Sequence, residues 1–183
     1  RLSEGGGIHR GADGMKPARS VRRRNPFIPK QPSRLSIGLF NSTAAMTRLL
    51  RRAARKTLLM HGIRRGRLEI TLVGNRQMSQ LHGRWKKVRH TTDVLTFDLR
   101  EQPTRGLVDG EIIVCTDVAK ASAKQRGTAT SAELALYVVH GCLHLVGFDD
   151  ITARQADRMH RREDELLESL GLGKVYSGRT LRE

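Results

Sequence analysis

Disulfide chemistry has little to work with in this chain. Of its 183 residues two are cysteine, Cys115 and Cys142, and neither belongs to a CxxC pair. That excludes a disulfide framework and points to a reducing, cytoplasmic setting. Long apolar runs are missing too. The most apolar stretch, 134–148, contains two histidines and falls short of the roughly 20 residues a membrane helix needs, so no membrane partner is expected. No segment orders a charged region, an apolar run and a small-residue cleavage site, and no secretory signal is read. Acid is scarce: 18 Asp+Glu stand against 34 Lys+Arg, a formal net charge of +16. Such an excess favours a polyanionic partner, nucleic acid first, because neutralising phosphates releases counterions.

The length suits one domain with a sizeable core. Apolar residues at 38% and charged residues at 28% make it somewhat polar, so part of the chain should add little to that core. Residues 1–33 are that part. "SEGGG", "GADGMKPARS" and "VRRRNPF" are rich in Gly, Pro, Ser and Arg without an apolar period, and such a segment buries too little to offset its ordering entropy. They read as a flexible basic arm, 34–172 as the folded domain and 173–183 as a polar tail.

Within the domain, "RLSIGLF", "RLEITLV", "TDVLTFDL" and "GEIIVCT" alternate or enrich β-branched residues and predict four strands. Helices are predicted over "NSTAAMTRLLRRAARKTLLMHG", "GNRQMSQLHGRWKK", a short stretch from Thr116 to Gly127, about 131–146, and roughly 152–170. Thr130 and Glu133 have the spacing of a capping box. Arg51, Arg52, Arg55 and Lys56 are expected on a basic, solvated outer face. The fold class is α+β: a single mixed sheet of about four strands packed with about five helices.

The chemistry concentrates in "HGCLHLVGFDD", residues 140–150. Helix residues four apart differ by about 40° in direction, so His140 and His144 share a face and can reach one ion. Gly147 falls where the helix must stop, since glycine readily adopts the left-handed helix terminus. The chain can then turn back, which places Asp150 as the third ligand and Asp149 as a near alternative. The pair reads either as satisfied core histidines or as metal ligands; burying two unpaired imidazoles among Leu136, Val139, Leu143 and Leu145 would be costly, which with the spacing favours a divalent ion, zinc first. Cys142 lies on nearly the opposite face and should be a packed thiol. The spacing is that of the zinc site in metzincin proteases, but the Glu that serves them as general base is Gly141 here.

With these residues in hand, "HGCLHLVGFDD" resembles the HGxLHLxGYDH signature of the YbeY family of metal-dependent endoribonucleases. "LHGRWKKVRHTTDVLTFDL" looks like its LNxxYRxxDxPTDVLSFP segment, and "DGEIIVCTDVAKASAKQRG" is similar to its GDIxIS strand and following helix. The order and separation of the three blocks match over about 34–172. The resemblance implies a single-strand-specific endoribonuclease acting in maturation of the 3' end of small-subunit ribosomal RNA and in ribosome quality control. Its partners would be ribosomal RNA, the small ribosomal subunit and ribosome-associated factors. Carried over by position, His140 and His144 are ligands, and Asp150 stands where the family has His. Lys86 falls on the family's cleft Arg, and His82 stands where an Asn is usual. A carboxylate in place of imidazole lowers the net charge of a dication site from +2 to +1 and weakens the ion as a Lewis acid. Lys86 keeps a positive charge without the guanidinium fork.

The expected reaction is metal-assisted phosphodiester hydrolysis, with Lys86 stabilising phosphoryl charge and Arg84 and Arg89 as candidate RNA contacts. Asp149 is either an outer support for a ligand or a turn residue, and Thr92 and Asp93 either border the cleft or merely start a strand. Two rivals stand beside this reading. One is a zinc metallopeptidase, against which Gly141 and the charge count. The other is a non-catalytic ribosome assembly factor whose metal only stabilises the fold.

Overall fold

The computed structural model describes residues 32–86 and 91–176, with the side chains of Trp85 and Lys86 outside that description. Arg89 and all but the last two residues of the predicted arm therefore lie outside the described residues. The elements run β1 (Leu35–Phe40), α1 (Ala44–Met60), β2 (Arg65–Val73), α2 (Asn75–Lys86), β3 (Val94–Asp98), β4 (Leu107–Cys115), α3 (Thr116–Arg126), α4 (Thr130–Leu145) and α5 (Ala153–Glu168). This is the α+β arrangement expected from the pattern: four strands in one mixed sheet and five helices.

The sheet order is β1-β2-β4-β3. β1, β2 and β4 are parallel, joined by helical crossovers as parallel pairing demands. β3 pairs antiparallel with β4, Val94 opposite Val114 and Asp98 opposite Gly110, and forms one edge of the sheet. Period-two alternation sends successive β4 side chains to opposite faces. Ile112 and Val114 join the main core with Leu68, Ile70, Leu50 and Leu143, while Ile113 and Cys115 meet Met78 of α2 on the other side.

α4 is buried on nearly every side, with Leu134, Leu136, Val138, Val139, Cys142 and Leu143 all in the core. Its neighbours are α1, α3, α5 and the β3–β4 pair. An apolar all-round helix has no solvated face to spare, which explains why its sequence lacks a clean 3.6-residue alternation. Burial pushes the Cys142 thiol pKa up, in line with a packed, unreactive group. Among the described residues no helix is long and apolar enough to cross a membrane.

One local expectation is overturned. Thr130 and Glu133 do not cap α4: the N-cap is Ala129, with no side-chain hydrogen bond. Glu133 is fully buried and instead accepts from the Thr128 hydroxyl (2.9 Å) and pairs with the Arg126 guanidinium, tying α3 to α4. A buried carboxylate left with only backbone amides would face a large desolvation cost, and an arginine within reach relieves it. A capping box forms instead at α5, where Thr152 and Gln155 satisfy each other's amides.

Candidate metal centre

His140 and His144 project from the last turns of α4, and Gly147, at φ 94°, reverses the chain just beyond it. The turn returns Asp150 to the helix. Its carboxylate oxygens lie 3.8 Å from His140 Nε2 and 3.9 Å from His144 Nε2. One donor atom from each residue falls within 4.8 Å of the others. Asp150 is the carboxylate that the geometry brings in. Asp149 points its Oδ1 at the Asp150 amide (2.9 Å), fixing the turn.

The imidazoles are oriented from behind. His140 Nδ1 sits 2.7 Å from Glu163 Oε1, and His144 Nδ1 sits 3.1 Å from the Phe148 carbonyl oxygen. A carbonyl or carboxylate oxygen facing Nδ1 calls for a proton there, which leaves Nε2 as a lone pair on each neutral ring. The two Nε2 atoms are 3.0 Å apart. Two lone pairs at that distance repel unless a proton or a metal cation lies between them; with the Asp150 carboxylate beside both nitrogens, the donor set fits a divalent ion held by His140, His144 and Asp150. Backing of a ligating imidazole by carboxylate or carbonyl is the usual means of fixing its tautomer. Burial opposes charging His140, but the Glu163 hydrogen bond and charge, with smaller help from Asp150 and Asp93, outweigh it and raise the ring's pKa.

The site opens into a cleft of about 570 Å3. Its walls are residues 92–98 of β3 and the approach to it, the end of α4, and Asp149 to Ile151. Thr92 and Asp93 do line the cleft, while Asp93 Oδ1 also accepts from the Val94 amide (2.8 Å) and the Thr92 hydroxyl (3.1 Å). Both expectations for this pair therefore hold together. Arg100 braces the wall: its guanidinium grips Asp98 at 2.6 and 2.8 Å and donates to the carbonyls of Leu107 and Leu145, at 3.1 and 3.0 Å. The last contact ties the carboxyl end of α4 to β3, one residue from His144.

Gly141 has a packing reason. A Cβ there would stand 2.8 Å from Thr96 Oγ1 and 2.9 and 3.0 Å from Ile112 carbons. The helix approaches the sheet so closely that a glutamate has no room at this position. Arg84 is exposed on α2, and the helix ends at Lys86.

Two groups escaped the sequence reading. Glu163 lies four residues after buried Met159 and three before buried Leu166, on the apolar stripe of α5. A carboxylate on such a stripe was the available signal. His61, at the end of α1, packs edge-on against Phe148 with ring centroids 5.3 Å apart, and Arg158 lies over the same ring at 4.8 Å. Residues 175 and 176 also fold back on α5, their amides donating to Asp164 Oδ1 at 2.7 and 2.9 Å.

Comparison with known proteins agrees with this picture. The sequence profile of the family described as Endoribonuclease YbeY matches residues 29–171. An Endoribonuclease YbeY of Anaeromyxobacter sp. (strain Fw109-5) is 38% identical over 136 residues, covering 74% of this chain and 69% of the relative. One of Polynucleobacter asymbioticus is 30% identical over 149 residues, covering 79% of this chain and 95% of the relative. Among solved structures, the solution structure of TM1509 from Thermotoga maritima superposes with a TM-score of 0.53 at 22% identity, covering 73% of this chain and 91% of that one. That last likeness concerns the fold.

Proposed function

Because this chain belongs to the YbeY family, we propose that it is a metal-dependent endoribonuclease that cuts single-stranded regions of small-subunit ribosomal RNA near the 3' end. In this reading it works in the cytoplasm beside the small ribosomal subunit, in RNA maturation and ribosome quality control, and zinc is its ion. The observation that carries the chemistry is the pair of Nε2 atoms held 3.0 Å apart with a carboxylate beside them in an open cleft. The charge of +16 supports a phosphodiester substrate.

A divalent ion held here supplies Lewis acidity toward a phosphoryl oxygen and acidifies water. The chain does the rest. Glu163 and the Phe148 carbonyl each hold a proton on Nδ1, so both Nε2 lone pairs stay directed into the site. Asp150 contributes one negative charge, and Asp149 keeps its turn in place. Lys86 is proposed to stabilise charge on the phosphoryl group, with Arg84 and Arg89 as further RNA contacts. Thr92 to Asp98 form the wall along which a strand of RNA would lie.

Gly141 argues against peptidase chemistry of the metzincin kind, because its packing leaves no space for a glutamate base. The deciding experiment compares wild type, His140→Ala and Lys86→Ala on single-stranded ribosomal RNA, with casein as a second substrate. RNA cleavage lost in both variants and no casein digestion is the expected result. Intact RNA with wild type, together with binding to the small subunit, would favour the assembly-factor reading; casein digestion would favour the peptidase.

A further inference from the structure

α1 contains five cations, Arg48, Arg51, Arg52, Arg55 and Lys56, and no acidic residue. The helical period puts all five on one stripe spanning about 12 Å of axis. The four arginines are exposed and Lys56 is half-buried. Among the described residues none of the five is ion-paired. Four of them are tethered instead to main-chain carbonyls. Arg51 and Arg55 donate to Ile37 and Leu35, on the outer edge of β1, at 3.1 and 3.4 Å. Arg52 and Lys56 donate to Leu170 and Ser169, at the carboxyl end of α5, both at 2.9 Å. A carbonyl orders a cation without neutralising it. Among the described residues the stripe is thus a row of uncompensated charges, four of them pre-positioned, the arrangement that lowers the ordering cost of binding an anion.

These side chains, with Leu59 and Met60, line a shallow groove of about 500 Å3. α1 is followed by its C-cap His61, which packs edge-on against Phe148 in the turn that carries Asp150. Arg162, itself ion-paired with Glu165 at 2.6 Å, donates to His61 Nε2 at 3.4 Å, and Arg158 lies over the Phe148 ring, 4.8 Å from its centroid. Of these two arginines, Arg158 has no ion pair among the described residues and sets a positive charge beside the loop of the candidate centre.

The geometry points to the α1 stripe as a docking surface for the phosphate backbone of single-stranded RNA, separate from the cleft in which the chain would be cut. This rests on the endoribonuclease reading. A polyanion is the occupant that charge complementarity selects, and the Arg158 charge beside Phe148 favours the strand already bound at the centre over an unrelated partner.

The test measures binding of a single-stranded RNA oligonucleotide across a salt series, for wild type, Arg48→Gln/Arg52→Gln, and the charge-keeping Arg48→Lys/Arg52→Lys. Loss of two phosphate contacts should lower the slope of log K against log salt by about 1.4, at roughly 0.7 per contact for single strands. Affinity should fall about tenfold at 0.1 M salt, with kcat on a saturating short oligonucleotide unchanged and the lysine variant close to wild type. If removing Arg52 lowers the melting temperature, Arg48→Gln replaces the double variant, with a slope change of about 0.7. An unchanged slope in variants of a wild type that binds and cuts RNA overturns the docking surface alone. A wild type that neither binds nor cuts RNA overturns the endoribonuclease reading and this inference with it. Loss of binding to phosphatidylglycerol vesicles with RNA binding intact would assign the stripe to a membrane surface and overturn the proposal.

Discussion

His140 Nδ1 lies 2.7 Å from Glu163 Oε1, and the carboxylate that makes this contact has no solvent exposure at all. Glu163 lies 23 residues further along the chain. Its second oxygen has no hydrogen-bond partner among the described residues. A buried acid so poorly satisfied is retained at a cost, and the geometry shows its return: it sets which nitrogen of His140 carries the proton.

Glu163→Gln should therefore weaken metal retention by about 10–100-fold, the usual effect of removing such a support. Competition with a chromophoric chelator measures it. Retention equal to wild type would reduce the contact to packing.

The two carboxylates of the turn should differ. Asp150→Ala removes a donor and should weaken retention more than Asp149→Ala, which only loosens the Asp150 amide. Elemental analysis of the purified proteins gives the order, and the reverse order would transfer the ligand role to Asp149.

Gly141→Ala should lower stability by about 1–3 kcal/mol, the range for overpacking a close contact. The added methyl meets Thr96 and Ile112 on the sheet. Thermal melting reads the effect, and an unchanged melting temperature would mean that α4 can withdraw from the sheet freely.

Acid should unfasten the cleft wall. The Arg100 hydrogen bond lowers the Asp98 pKa against the opposing effect of burial. A depressed folded-state pKa contributes stability above the unfolded value, near 3.9, and loses it as pH falls through the folded value. Urea midpoints should fall below about pH 4 more steeply in wild type than in Asp98→Asn, and parallel curves would show that the pair adds nothing.

The strands, the helices and the ligand spacing were legible because each rests on short-range pattern. Leu68, Ile70 and Leu72 alternate, Gly127 ends α3 in the left-handed conformation, and His140 and His144 must share a face on any helix. Glu133 shows where that reasoning stops. Its spacing from Thr130 satisfies the capping rule, yet Arg126 and burial claim it first. The basic stripe of α1 is the same case in reverse: its charges were visible, but their carbonyl tethers on β1 and α5 were not.

Sequence alone determined that two imidazoles and a carboxylate could meet, because a helical period and a glycine turn are local geometry. Only the tertiary structure decided which acid stands behind His140, why position 141 has no side chain, and which strand borders the cleft. Those depend on α5, β3 and β4 packing against one helix, and contacts between segments far apart in the chain leave no periodic trace in the order of residues.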